Sequence, residues 1–219
     1  MFATAKQIHA GGKELQDRAE IYWSGSNLVL VVADGAGGRS GAAEAAEFVA
    51  NRVKQTIQHA KFSPRGLCEF LRSIDQQMVA AENVGETTCV LVVISESGIV
   101  GASVGDSGAW CISASGLDNL TGNQSRKPFL GMGVATPFGF ERDSLNGTLL
   151  VASDGLLKYT STERIVAVAL GDDLEKSAKN LVDLVRYQSG ALPDDISVLL
   201  ARKNMSPLEK IRRPLRDSV

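Results

Sequence analysis

Apolar positions along this chain follow two rhythms. Unbroken runs such as Leu28-Val29-Leu30-Val31-Val32-Ala33 and Leu149-Leu150-Val151-Ala152 read as strands buried on both faces. Ala42, Ala46, Val49, Val53 and Ile57 recur at helical spacing, with Glu44, Glu47, Asn51 and Lys54 off that stripe. A helix is therefore expected there, with Ser40 as its N-cap. A second helix is expected from Ser63-Pro64, a cap followed by a proline in the first turn, with Leu67, Leu71, Ile74 and Met78 on one face.

Residues 1–33 read as β-structure, with strands near 19–23 and 27–33. After the second helix, the runs 88–94, 99–104 and 109–113 read as a meander broken at Ser95-Glu96-Ser97-Gly98 and Asp106-Ser107-Gly108. Residues 116–146, rich in Gly, Asn and Pro, read as irregular loop, followed by a strand at 148–153. Thr160-Ser161-Thr162-Glu163 has the form of a capping box opening a short helix that Gly171 ends. Asp172-Asp173-Leu174-Glu175 opens another, closed by Gly190, and Ile196 to Ala201 forms a last strand. Strands and helices do not alternate regularly, so antiparallel sheets covered by helix pairs fit better than a doubly wound parallel sheet.

Composition narrows the class. A chain of 219 residues that is 44% hydrophobic and 22% charged can bury one sizeable core. A net charge of −2 supplies no general attraction to nucleic acid or an anionic membrane. Cys68, Cys89 and Cys111 form no disulfide framework, and Cys89 and Cys111 lie in apolar runs, so buried free thiols in a reducing compartment are expected. The N-terminus lacks the basic start and apolar block of a signal peptide, and no apolar run is long enough to cross a bilayer. These features point to a soluble, cytoplasmic, monomeric protein with one domain over residues 1–203. A flexible basic tail follows at 204–219, with Lys210, Arg212, Arg213 and Arg216.

Aspartates mark the strand ends. Asp34 and Asp154 each leave an apolar strand and precede a glycine, Asp194-Asp195 leads into the last strand, Asp106 sits in a hairpin turn, and Asp17 lies near the start. Carboxylates crowded into one cleft cannot all stay ionised without a cation. A pair of Mg2+ or Mn2+ ions would neutralise them, activate a water and clamp a phosphoryl group. Each Asp taken alone is as well explained as a turn former or helix cap.

Other chemistries find little support. His9 and His59 are the only histidines, and neither accompanies a Cys pair or an HExxH helix, so zinc is disfavoured. Ser107 and Ser153 have no positioned His partner. The loop Gly35-Ala36-Gly37-Gly38-Arg39-Ser40-Gly41 fails the dinucleotide register, because Ser40 falls where glycine is required, and no phosphate-loop lysine follows.

Six short blocks in order resemble the metal-dependent serine/threonine protein phosphatases of type 2C. Gln16-Asp17-Arg18 resembles the opening motif, Asp34-Gly35-Ala36-Gly37-Gly38 the Asp-Gly-x-Gly-Gly motif, and Gly85-Glu86-Thr87-Thr88 the Gly-Thr-Thr strand start. Val104-Gly105-Asp106-Ser107 resembles Gly-Asp-Ser-Arg, Ser153-Asp154-Gly155-Leu156 resembles Ser-Asp-Gly-Leu, and Asp194-Asp195-Ile196-Ser197-Val198 resembles the closing Asp-Asn-Ile-Thr-Val. The resemblance covers about residues 12–202.

The resemblance implies an α+β fold, a four-layer αββα sandwich with two central antiparallel sheets flanked by helix pairs. It implies that Asp34 bridges two Mn2+ or Mg2+ ions, that the Gly35 carbonyl binds one, and that Asp154 and Asp194 complete the inner set. Asp17 would act through a metal-bound water, and Asp106 with Asp154 would hold a weaker third ion. The catalytic set would be Asp34, Asp154 and Asp194, acting through a bridging water on phosphoserine or phosphothreonine in a phosphoprotein substrate.

Departures from the motifs fall on the substrate side. Gly12 stands where the family usually has a phosphate-binding Arg, and Lys13 beside it is the substitute expected to bind phosphate. Gly108 replaces the Arg after Gly-Asp-Ser, and Asn123-Gln124 replaces a common Asp-His pair. The segment that follows is short, which implies a trimmed substrate-side flap. The alternative reading is a non-catalytic module of the same fold that binds a phosphoprotein or regulator; a nucleotide-binding α/β protein is the weaker third.

Overall fold

The structure is a computed structural model, and it describes residues 1–36 and 40–204. The order of elements is β1 (Phe2–His9), β2 (Asp17–Ser24), β3 (Asn27–Asp34), α1 (Ala42–Thr56), α2 (Pro64–Val79), β4 (Cys89–Ser95), β5 (Gly98–Val104), β6 (Gly108–Ser113), β7 (Gly116–Asn119) and β8 (Phe138–Arg142). Then come β9 (Thr148–Ala152), α3 (Asp154–Leu157), α4 (Thr162–Ala169), α5 (Leu174–Asp183) and β10 (Ile196–Lys203). Two five-stranded sheets form, ordered β1-β10-β9-β6-β7 and β2-β3-β4-β5-β8, and every pairing in them is antiparallel.

The alternation of side chains along a strand explains the layers. In β3, Leu28, Leu30 and Val32, with Val90 and Val92 of β4 beside them, face the other sheet, where they meet Leu149, Val151, Leu199 and Ala201. Val29, Val31 and Ala33 point the opposite way, onto Ala45, Val49 and Val53 of α1 and Leu67, Leu71 and Ile74 of α2. β10 divides likewise, with Val198 and Leu200 against Ile165 of α4 and Leu181 of α5. The unbroken apolar runs are thus central strands sandwiched twice over. The αββα sandwich expected from the motifs is the observed architecture.

The caps agree in part. Ser63 caps α2 by accepting the Gly66 N–H, and Ser161 and Asp173 cap α4 and α5 by accepting the N–H groups of Arg164 and Lys176. α1 differs: its N-cap is Gly41, not Ser40, and it carries no side-chain cap bond. Gly41 has φ of +88°, and a Cβ there would lie 2.7 Å from the Gly85 nitrogen, so backbone packing takes the place of a capping oxygen. α5 ends at Asp183, well before Gly190.

Two strands were not legible. β1 falls in the stretch 1–33 expected to be β-structure, and it pairs with β10 along its whole length. β7 and β8 lie inside the segment expected to be irregular; both are edge strands whose ladders are completed by β6 and β5. Cys68 and Cys89 are buried free thiols, but Cys111 is only half-buried, packed at the margin of the inter-sheet core. Lys203 belongs to β10. The basic tail beyond Asn204, and Gly37, Gly38 and Arg39 of the glycine loop, lie outside the described residues.

Candidate functional site

Strand β3 delivers Asp34 to one end of the sandwich. Its backbone is fixed by the Thr88 N–H donating to the Asp34 carbonyl (2.9 Å) and by the Asp34 N–H donating to Thr88 Oγ1 (3.1 Å). Thr87 Oγ1 also donates to the Asp34 carbonyl (2.9 Å). Gly35 follows under the start of α1, where a Cβ would lie 2.4 Å from the Ala42 carbonyl oxygen, so only glycine fits.

The other aspartates arrive from four further segments. β2 pairs Asp17 directly opposite Asp34. The β5–β6 turn carries Asp106, and this turn is tied down by Thr88 Oγ1 bonded to Ser107 Oγ (2.8 Å) and by Gln124 Nε2 donating to the Ser107 carbonyl (2.6 Å). Ser153 follows β9, its Oγ accepts the Ser197 N–H (2.9 Å), and Asp154 comes next as the first residue of α3. Asp194 and Asp195 lead into β10. Asp195 holds the loop 11–16 in place by accepting the N–H groups of Gly11 (2.7 Å) and Gln16 (2.5 Å).

Asp34, Gly35, Asp106, Asp154 and Asp194 line one cleft of about 330 Å3, together with Arg126, Lys127, Phe129 and Lys158. Asp17 lies behind it, fully buried. Lys13 is exposed on the loop and does not line the cleft, so the structure does not bring it to the carboxylates. Gly12 is exposed too.

The electrostatics are those of excess negative charge. Burial, then the charges of Asp17, Asp154, Asp106 and Asp194, push the Asp34 carboxyl far above its usual range. Burial likewise raises Asp17 to about 6, although the nearby Ser153 and Ser197 hydroxyls oppose the shift. Asp194 is raised, chiefly by burial. Both Asp17 carboxylate oxygens are buried and make no well-formed hydrogen bond.

Positive charge is confined to one side. Lys158 Nζ bonds to Asp154 Oδ2 and lies 3.6 Å from Asp106 Oδ2, while Arg126 Nε donates to Asp106 Oδ2 (2.7 Å). Among the described residues no Lys or Arg forms an ion pair with Asp17, Asp34 or Asp194. No three acidic, His or Cys side chains are drawn tightly enough together to cage an ion as they stand, again among the described residues. Lysine and arginine hold the outer carboxylates, while the inner ones crowd one another without a cation. Orphaned buried oxygens, an all-oxygen donor set and a carboxyl that cannot ionise beside its neighbours are what a hard divalent cation would relieve. The residues fit such a group.

Motif reading located the aspartates but missed the cations. Lys158 stands four residues after Asp154, an i,i+4 spacing on a helical turn that could have flagged it. Arg126 meets Asp106 across twenty residues and leaves no local signal. Asp75 was missed as well. It is buried in α2, and its carboxylate accepts the N–H groups of Gly131 (2.7 Å), Gly133 (3.0 Å) and Ala135 (2.9 Å), fixing the segment just after Phe129.

Residues 6–132 match the family described as protein phosphatase 2C. A search of curated proteins gives no match. Among solved structures, the chain is similar to a point mutant of a bacterial serine phosphatase, with 24% identity and a TM-score of 0.81 over 93% of this chain and 99% of that one. It is similar to the serine/threonine phosphatase Stp1 from Staphylococcus aureus, with 20% identity and a TM-score of 0.81 over 94% and 96% of the two chains. It is also similar to the catalytic domain of the serine/threonine protein phosphatase PstP in complex with two manganese ions, with 20% identity and a TM-score of 0.75 over 91% and 97%. At these identities the structural likeness establishes the shared fold, which extends past residue 132 to the strands carrying Asp154 and Asp194.

Proposed function

This chain belongs to the protein phosphatase 2C family and is a protein serine/threonine phosphatase; we propose that it hydrolyses phosphoserine and phosphothreonine in proteins with two divalent cations, Mn2+ or Mg2+, held in the acidic cleft. The observation that carries the reading is the crowding of Asp34 by four other carboxylates at the end of β3. Asp34, the Gly35 carbonyl, Asp154 and Asp194 are the residues that would hold the ions. Cations bound there would lower the pKa of water for in-line attack and neutralise charge on the phosphoryl group.

The chain's own residues supply the rest. The Asp17 oxygens, buried behind Asp34 and making no well-formed hydrogen bond, would be acceptors for solvent drawn into the cleft. Thr87 and Thr88 keep the Asp34 backbone from yielding to repulsion. Lys127 lines the cleft and forms no ion pair among the described residues, while its ammonium lies 5.4 Å from the Phe129 ring centroid. It is the cation available to meet an incoming phosphate, the role the sequence suggested for Lys13.

The catalytic domain is proposed to span residues 1–203, with the basic segment after it dispensable for turnover. Free thiols support a reducing, cytoplasmic setting, and no helix among the described residues is long and apolar enough to cross a membrane. The test is release of phosphate from a phosphothreonine peptide with Mn2+. Activity that persists both in chelator and in Asp34→Asn would reject the reading. Tight peptide binding with no release would favour the non-catalytic module.

A further inference from the structure

The acidic cluster divides electrically into two halves. In the inner half, Asp17, Asp34 and Asp194 form no ion pair among the described residues, although the Lys158 charge acts on Asp194. In the outer half, Asp106 and Asp154 share the Lys158 ammonium, and Asp106 also takes the Arg126 guanidinium. Those two carboxylates therefore meet about as much positive charge as they carry.

We propose that Lys158 and Arg126 replace a divalent ion between Asp106 and Asp154, so that this chain binds two metal ions, held by Asp34, Asp194 and the Asp154 oxygen that Lys158 leaves open, and none between Asp106 and Asp154. The inference rests on the phosphatase reading and specifies its metal content. Lys158 reaches the pair because α3 is a single helical turn that places its side chain four residues beyond Asp154. It engages only Oδ2 of Asp154. Arg126 reaches the pair because the segment after Gln124 turns back over the β5–β6 turn, where Gln124 itself is bonded to the Ser107 carbonyl.

A third ion would have to displace both side chains, or sit beside them at like-charge distance. Either costs more than the water-exposed exchange a weak site can tolerate. Asp106 is thereby an anchor for two cations rather than an ion ligand. The outer wall of the cleft carries fixed positive charge that no chelator removes.

Metal stoichiometry tests this without reference to turnover. Manganese bound per chain is counted by equilibrium dialysis against rising Mn2+, with elemental analysis at saturation. The full chain is expected to bind two ions, and Arg126→Gln/Lys158→Gln to bind a third that is lost again when Asp106→Asn is added. Asp106→Asn alone is expected to leave the count at two, which keeps the test decisive if the double variant does not fold. Three ions on the unmodified chain, two on a folded double variant, or a fall below two in Asp106→Asn overturns the proposal. A count of zero on the unmodified chain overturns the metal-dependent reading as well.

Discussion

Asp17 and Asp34 stand opposite one another on neighbouring strands, paired in the β2–β3 register with both carboxyl groups raised above the ordinary carboxylate range. Burial sets the direction of both shifts, and Asp17 is in turn the strongest charged influence on Asp34. The pair keeps a proton at neutral pH when no ion is present. A bound cation reverses the balance by favouring both ionised forms.

Metal binding should therefore release protons. Calorimetric titration of Mn2+ at pH 7 in buffers of different ionisation enthalpy is expected to report about one proton set free per chain. In Asp34→Asn the release should fall to near zero. Equal heats in all buffers for the unmodified chain would contradict the assignment.

The same shifts fix how stability depends on pH. Both carboxyls bind protons more tightly folded than unfolded, so their contribution is complete below about pH 4. It is lost as pH rises through about 6 for Asp17, and at higher pH for Asp34. Metal-free protein should be less stable at pH 8 than at pH 6, by about 1 kcal/mol or more in urea denaturation. Asp34→Asn should flatten that decline while lowering Mn2+-dependent turnover by about a hundredfold or more. A variant more stable and less active than its parent is the signature of a site that stores repulsion for use.

Asp75→Ala removes the acceptor for three backbone N–H groups in a buried setting. A loss of about 2–4 kcal/mol is expected in denaturant unfolding, with faster amide exchange at Gly131, Gly133 and Ala135. Asp75→Asn should recover part of the loss, because its amide oxygen can still accept.

Lys127→Ala should raise KM for a phosphopeptide about tenfold with kcat little changed, as loss of one charge-assisted contact predicts. Lys13→Ala should leave both constants within about twofold, since that side chain is exposed away from the cleft. Steady-state kinetics on one phosphothreonine peptide compares them directly.

Central strands were legible because residues such as Val29 and Leu30 are apolar on both faces, a pattern only a doubly covered strand needs. β7 and β8 were not, because an edge strand with one exposed side carries the composition of a loop. The aspartates could be read in sequence because each sits at or beside a strand end within a short recognisable block. Their neutralisers could not, since Arg126 and Lys158 are ordinary surface residues in composition and acquire meaning only from what they touch. Lys13 shows the converse: adjacency to a motif position did not bring it to the cleft.

The grip of Asp195 on Gly11 and Gln16 joins segments some 180 residues apart. A nascent chain still on the ribosome, with that aspartate unmade, leaves the amides of its opening loop to water and lacks the last strand that flanks them. The cleft is thus complete only once the last strand is in place, and a fragment truncated ahead of residue 194 lacks both the tether and one wall of the site.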